Sequence, residues 1–323
     1  MRSAGSGGVL LAVLLVLAAA PAPPDEQPAT FFRLAVVRRD TILVPFATYD
    51  GRRWSNDWPV PRESLDVPVS LRDVPSRWWG RGGPADLWTF WPLGEASRPL
   101  KVLAPAWFPA HCLMNVGLRT DYAPAAPIPA HFGQPHPKDG LATTGPVTVE
   151  PIALLDEKAP EWNLFNQVLQ ERFNEAETAA VRSSAAGGWG APYSEKERAA
   201  IPATIEVLCR SRLTGDTFIY YFEAVKRYEK KDDTGKPACF MMTHGAGWIR
   251  PKADGRNDVE MAAVLANCDR DGVVFMLPLG LLRLGTNPLW VVQWGGWGYE
   301  RYEILEVGLK GIKSVFQTPG GGC

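Results

Sequence analysis

Strand-like apolar runs recur along much of this chain, and turn-forming residues separate them with the regular spacing of an antiparallel sheet system. Residues 31–37 and 41–49 read as strands around a polar Arg38-Arg39-Asp40 turn. The second ends at Asp50-Gly51, a dipeptide suited to a two-residue hairpin turn, so 52–54 should return antiparallel. Prolines at 59, 61, 68, 75 and 84 restrict the next stretch to short edges such as 67–71. Strands are expected again at 87–91, 100–103 and 111–118. Seven prolines then crowd 124–151, which reads as a long irregular connection carrying His131 and His136, either a binding loop or a surface wrap.

One segment has the helical period. Trp162, Phe165, Leu169, Phe173, Ala176 and Ala180 step by three or four and share a face, with Glu161 at the start and Gly187-Gly188 beyond the end. Ser194-Glu195-Lys196-Glu197 has the capping-box pattern of a second, short helix, which Pro202 stops. From Ala203 onward, strand-like runs rich in Ile, Val, Phe, Tyr and Trp follow at 203–213, 217–228, 238–249, 259–267, 273–284, 289–294 and 299–307. Strands in series argue against alternating strand–helix units. The expected class is mainly β: a large antiparallel sheet system, sandwich or propeller-like, with one long amphipathic helix inserted. No internal period supports a propeller, since Gly188-Trp189, Gly247-Trp248 and Gly296-Trp297 are only dipeptide echoes. The organisation divides into an N-terminal β region (31–151), a helical insertion (152–202), a C-terminal antiparallel β meander (203–317) and a flexible tail (318–323).

The front of the chain has another use. Arg2, an apolar run over 9–17 and Ala18, Ala19 and Ala20 make a signal peptide of residues 1–20, followed by a proline-rich tail at 21–30. That run is well short of the ~20 residues that span a bilayer. The protein is therefore expected to be secreted or periplasmic, with no integral membrane segment after cleavage.

Composition narrows the partners. With 46% apolar residues, 21% charged and a net charge of -1, disorder is excluded. The chain also has no basic stripe of the kind nucleic acid requires. In an exported protein the five cysteines permit disulfides. Cys239 and Cys268 are the expected pair, while Cys323, after three glycines, is expected to be unpaired.

Several motifs touch on chemistry. Asn267-Cys268-Asp269-Arg270-Asp271-Gly272 fits the first half of a calcium loop, with Asn267, Asp269 and Asp271 as ligands, but Pro278 stands where the bidentate acid belongs. An EF-hand is excluded. A simpler calcium turn or a polar hairpin turn remains, so no cofactor is expected unless that turn holds Ca2+. Thr243-His244-Gly245-Ala246-Gly247 resembles an esterase oxyanion loop, yet the chain has no G-x-S-x-G, no HExxH and no phosphate-binding loop. Of 13 tryptophans, Trp54, Trp58, Trp78, Trp79, Trp88 and Trp91 lie among prolines and arginines in one turn-rich region, which suits stacking on sugars. Trp294, Trp297, Tyr299 and Tyr302 form a second aromatic group, beside Glu300 and Glu303. The expected function is an exported β-rich binding protein for a carbohydrate or cell-wall polymer, its partner a glycan or cell-envelope component. The alternative is an extracellular, glycosidase-like hydrolase whose paired Asp and Glu residues are not identifiable from the chain.

Overall fold

Residues 31–59, 74, 88–124, 138–186, 193–231, 233–252, 256–285 and 288–323 are described by the computed structural model. The leader at 1–20, the tail at 21–30, the edge at 67–71 and the loop histidines His131 and His136 lie outside them. Eight strands build an N-terminal sheet: β1 (Phe32–Arg38), β2 (Ile42–Tyr49), β3 (Trp54–Ser55), β4 (Trp88–Pro92), β5 (Arg98–Leu100), β6 (Val102–Ala110), β7 (Leu113–Thr120) and β8 (Lys138–Thr144). Their order is β5-β4-β8-β1-β2-β7-β6, with β3 on β2. After β9 (Ala153–Leu154) come the helices α1 (Pro160–Ala186) and α2 (Glu195–Ala200), then β10 (Thr204–Thr214), β11 (Thr217–Lys231), β12 (Pro237–Pro251) and β13 (Asn257–Ala266). These strands form a helix-backed sheet in the order β13-β12-β11-β10-β9. The last four strands, β14 (Phe275–Arg283), β15 (Pro288–Gly296), β16 (Tyr299–Gly308) and β17 (Gly311–Gly322), form a central sheet.

Side-chain alternation stacks these sheets. In β1, Leu34 and Val36 join a core with Val291 and Ile304 of the central sheet, while Ala35 and Val37 join a second core with Trp58 and Trp88. Burial on both faces is why such strands read as continuous apolar runs. The other face of the central sheet presents Trp290, Val292 and Leu305 to Tyr221 and Trp248 of the helix-backed sheet. The far face of that sheet packs Phe222, Ala224 and Ile249 against Trp162, Phe165, Leu169 and Phe173 of α1. The layers are therefore helix, sheet, central sheet and N-terminal sheet, and the mainly-β antiparallel class with one long helix holds.

The helical stripe continues past Phe173 to Glu177, which is buried and accepts hydrogen bonds from Lys226, Tyr228 and Thr243. The short helix starts on the capping box of Ser194 and Glu197. Glycine explains the run at 243–247. A Cβ on Gly245 would lie 2.6 Å from the Phe173 ring, and one on Gly247 would lie 2.1 Å from the Glu260 carbonyl oxygen, so both glycines serve close packing.

Three expectations need correction. The stretch 124–151 is not wholly irregular, because β8 pairs with both β1 and β4 inside the N-terminal sheet. Residues 318–323 are not a flexible tail: β17 pairs with β16 as far as Gly322. Cys323 is not unpaired either. A parallel bridge between His111 and Gly322 brings it to Cys112, with 4.8 Å between the Cα atoms of the disulfide. Cys239 and Cys268 form the other disulfide, and Cys209 is the free cysteine.

Candidate functional site

A cavity of about 830 Å3 opens where the central sheet ends at β14 and the two outer sheets separate. Its size falls within the usual range of a small-molecule site, about 300–1,000 Å3. The segment 149–154 closes one side. Its Glu150 exchanges backbone hydrogen bonds with Leu281 of β14, and the following β9 pairs with β10, so the connection stitches two sheets together over the opening. The walls are mainly apolar, with Val149, Ile152, Val207, Leu277 and Leu279 among them. Leu93 and Leu154 also line the cavity and are respectively 42% and 69% exposed, which gives it an apolar mouth.

Glu223 supplies the buried polar wall. In β11 it shares a face with Tyr221, and its Oε1 accepts hydrogen bonds from the Tyr221 hydroxyl at 3.0 Å and the Met276 N–H at 2.8 Å. Its Oε2 accepts none from the described residues. The nearest ionisable nitrogen, His244 Nε2, stands 3.8 Å away and has no hydrogen-bond partner of its own. Burial raises the Tyr221 hydroxyl well above its ordinary value, and Glu223 adds to that shift. Cys209 also lines the cavity. Burial, helped by the charge of Glu223, pushes its thiol up to about 12, so it stays protonated and weakly nucleophilic.

Glu206 forms a second polar wall under different control. Burial raises its carboxyl, but hydrogen bonds from Arg270 and Arg227 outweigh that effect and hold it below the ordinary value. Of the ionisable lining side chains, four are glutamates (95, 150, 206 and 223) and one is the guanidinium of Arg270. The cavity is thus apolar and acidic at once.

The four described members of the tryptophan group do not share one surface. Trp58 and Trp88 are buried in the N-terminal core, and the Trp58 indole N–H donates to the Val116 carbonyl. Trp91 lines the cavity, with its N–H donating to the Thr143 hydroxyl. Trp54 packs on Phe32 and Tyr49 and lines a different cleft, while Trp78 and Trp79 lie outside the described residues. In the second aromatic group, Tyr302 is buried and donates to Glu300, whereas Trp297 is 82% exposed on its turn.

Asn267, Asp269 and Asp271 share an exposed turn, but the amide of Asn267 donates to the Asp271 carboxylate and accepts from its backbone N–H. These bonds hold the turn in the manner of a polar hairpin. Among the described residues no group of three or more His, Cys, Asp or Glu is gathered as a metal site. His244 of the oxyanion-like motif lies inside β12, on the face that carries Glu223.

Glu206, Cys209 and Glu223 were not singled out from the sequence. Glu223 had a readable signal, since it is the one charge inside the run Ile219-Tyr220-Tyr221-Phe222-Glu223-Ala224-Val225. The fold and site define a layered β protein with an open-mouthed apolar, acid-lined cavity. Comparison with protein-family models, curated proteins and solved structures finds no match.

Proposed function

We propose that this protein is an exported binding protein that holds a small, mainly apolar ligand in the cavity beside β14. The observation that carries the reading is an apolar chamber of about 830 Å3 with an apolar mouth and a buried carboxylate in its wall. Export is supported by the leader-like first residues and by two disulfides, which persist in oxidising compartments. No helix among the described residues is long and apolar enough to cross a membrane. Glu206 is unsuited to act as the general acid of a glycosidase, which needs a raised carboxyl, because two arginines lower it.

The test is displacement of a fluorescent apolar probe. The protein should bind the probe, and Val207→Trp, which puts an indole into the chamber wall and narrows it, should weaken binding at least tenfold while the far-ultraviolet circular dichroism is unchanged. Equal binding by the narrowed variant would refute the site.

A glycan or cell-envelope polymer has one observation in its favour. A cleft of about 560 Å3 is lined by the Tyr49 and Trp54 rings with Arg52, Arg53 and Glu306, a mixture of stacking and polar groups suited to a sugar. In titrations with soluble polysaccharides, that reading requires a fluorescence change that Trp54→Ala removes.

A further inference from the structure

We infer that the cavity's ligand carries a protonated amine at one end of an apolar body, and that Glu223 receives this ammonium group. The inference rests on the cavity-binding reading above and adds the chemistry of the ligand's head. Three observations carry it.

The first is the incomplete environment of Glu223. The residue is 3% exposed, and among the described residues its hydrogen bonds come from two neutral donors, the Tyr221 hydroxyl and the Met276 amide, to the same oxygen, while the one ionisable nitrogen beside it, His244 Nε2, stands 3.8 Å from the other oxygen, beyond hydrogen-bond reach. A carboxylate taken out of water normally needs a cation and filled lone pairs. The Glu177 cluster on the other face of the same sheet shows what a completed site looks like here: Lys226 and two hydroxyls fill both of its oxygens. At Glu223 the second oxygen accepts no hydrogen bond from the described residues, and the residue lines a chamber large enough to bring a donor to it.

The second is the balance of charge. The chamber is lined by four glutamates and one arginine, and that arginine is bound to Glu206. Glu150 is paired with Arg283, while Glu95, at the exposed β4–β5 turn, has no salt bridge among the described residues. Glu223 and Glu95 are left as the lining carboxylates without an arginine partner among the described residues, and an excess of acid in a low-dielectric chamber concentrates cationic ligands and disfavours carboxylates and phosphates. The third is the wall. With mainly aliphatic side chains and Trp91, the rest of the ligand is an alkyl or aryl body, which gains by leaving water.

The pairing therefore predicts an order among ligands that differ only in their heads. Decylamine, decanol and decanoate present an ammonium, a hydroxyl and a carboxylate on the same chain, and calorimetric titration at neutral pH compares them directly. The amine should bind at least tenfold tighter than the alcohol, and the carboxylate should bind most weakly. In Glu223→Gln the amine should fall to the affinity of the alcohol, whose own binding changes little. The wild-type ranking stands as a test even if that variant fails to fold. Decanol or decanoate binding as tightly as decylamine would overturn the ammonium inference while leaving an apolar-ligand site. Failure of all three to bind would overturn the site and the inference with it.

Discussion

Glu206 and Glu223 stand on the same sheet and line the same cavity, yet their surroundings give them opposite fates. Glu206 is held by Arg227 and Arg270, so its ionised form is favoured in the folded chain. A carboxyl whose folded value lies below its unfolded value contributes stability above the unfolded value, near 4.5, and loses it as pH falls through the folded one. Glu206→Gln should therefore be less stable than the parent at neutral pH, and the gap between their urea midpoints should narrow toward about pH 3. A gap independent of pH would show that the arginines are held by shape and not by charge. Charged residues inside apolar runs were visible in the sequence, as at Glu223. Which arginine or lysine meets which acid was not, because Glu206 and Arg270 are 64 positions apart and meet only through the fold.

At the scale of elements, the strands with a strong period-2 or continuous apolar pattern were legible, as were α1 and the capping box of α2. Two missed strands, β8 and β17, share a different composition, whereas β6, expected only at 102–103, carries Pro105 and Pro109. In β8, Lys138-Asp139-Gly140-Leu141-Ala142-Thr143-Thr144 has one large apolar side chain, since the site is crowded and small residues fit it. A Cβ on Gly140 would lie 2.3 Å from the Trp91 carbonyl oxygen. In β17, Pro319 and three glycines look like a tail, but pairing with β16 and the bond from Cys112 to Cys323 hold them in place. Small residues at close approaches are the common cause, and β12 gives a test. Gly247→Ala should put a methyl group into the Glu260 carbonyl and the Met261 Cα of β13, 2.1 and 2.7 Å away. The expected loss is about 1–3 kcal/mol in guanidinium unfolding, the usual cost of overpacking. Faster amide exchange along β12 and β13 should accompany it, and unchanged stability would mean that the two strands separate at little cost.

For the whole molecule, the sequence left open whether residues up to 151 form a separate domain, because it does not say which sheet covers which. The central sheet has two buried faces. One face joins Val36 and Phe46 of the N-terminal sheet to Val291 and Ile304, and the other joins Trp290 and Leu305 to Tyr221 and Trp248. Neither outer sheet can leave without exposing one of these cores, and the cavity exists only because all three sheets converge at the β14 edge. Segments from five parts of the chain line that cavity, which is why no local motif announced it. Two cores sharing one sheet should unfold together. Calorimetry of the disulfide-intact protein should give one endotherm whose van't Hoff and calorimetric enthalpies agree. Phe46→Ala in one core and Trp290→Ala in the other should each shift that whole endotherm down, by about 3–5 kcal/mol of stability. Two resolved transitions, each moved by only one of the variants, would instead make the N-terminal sheet an independent domain.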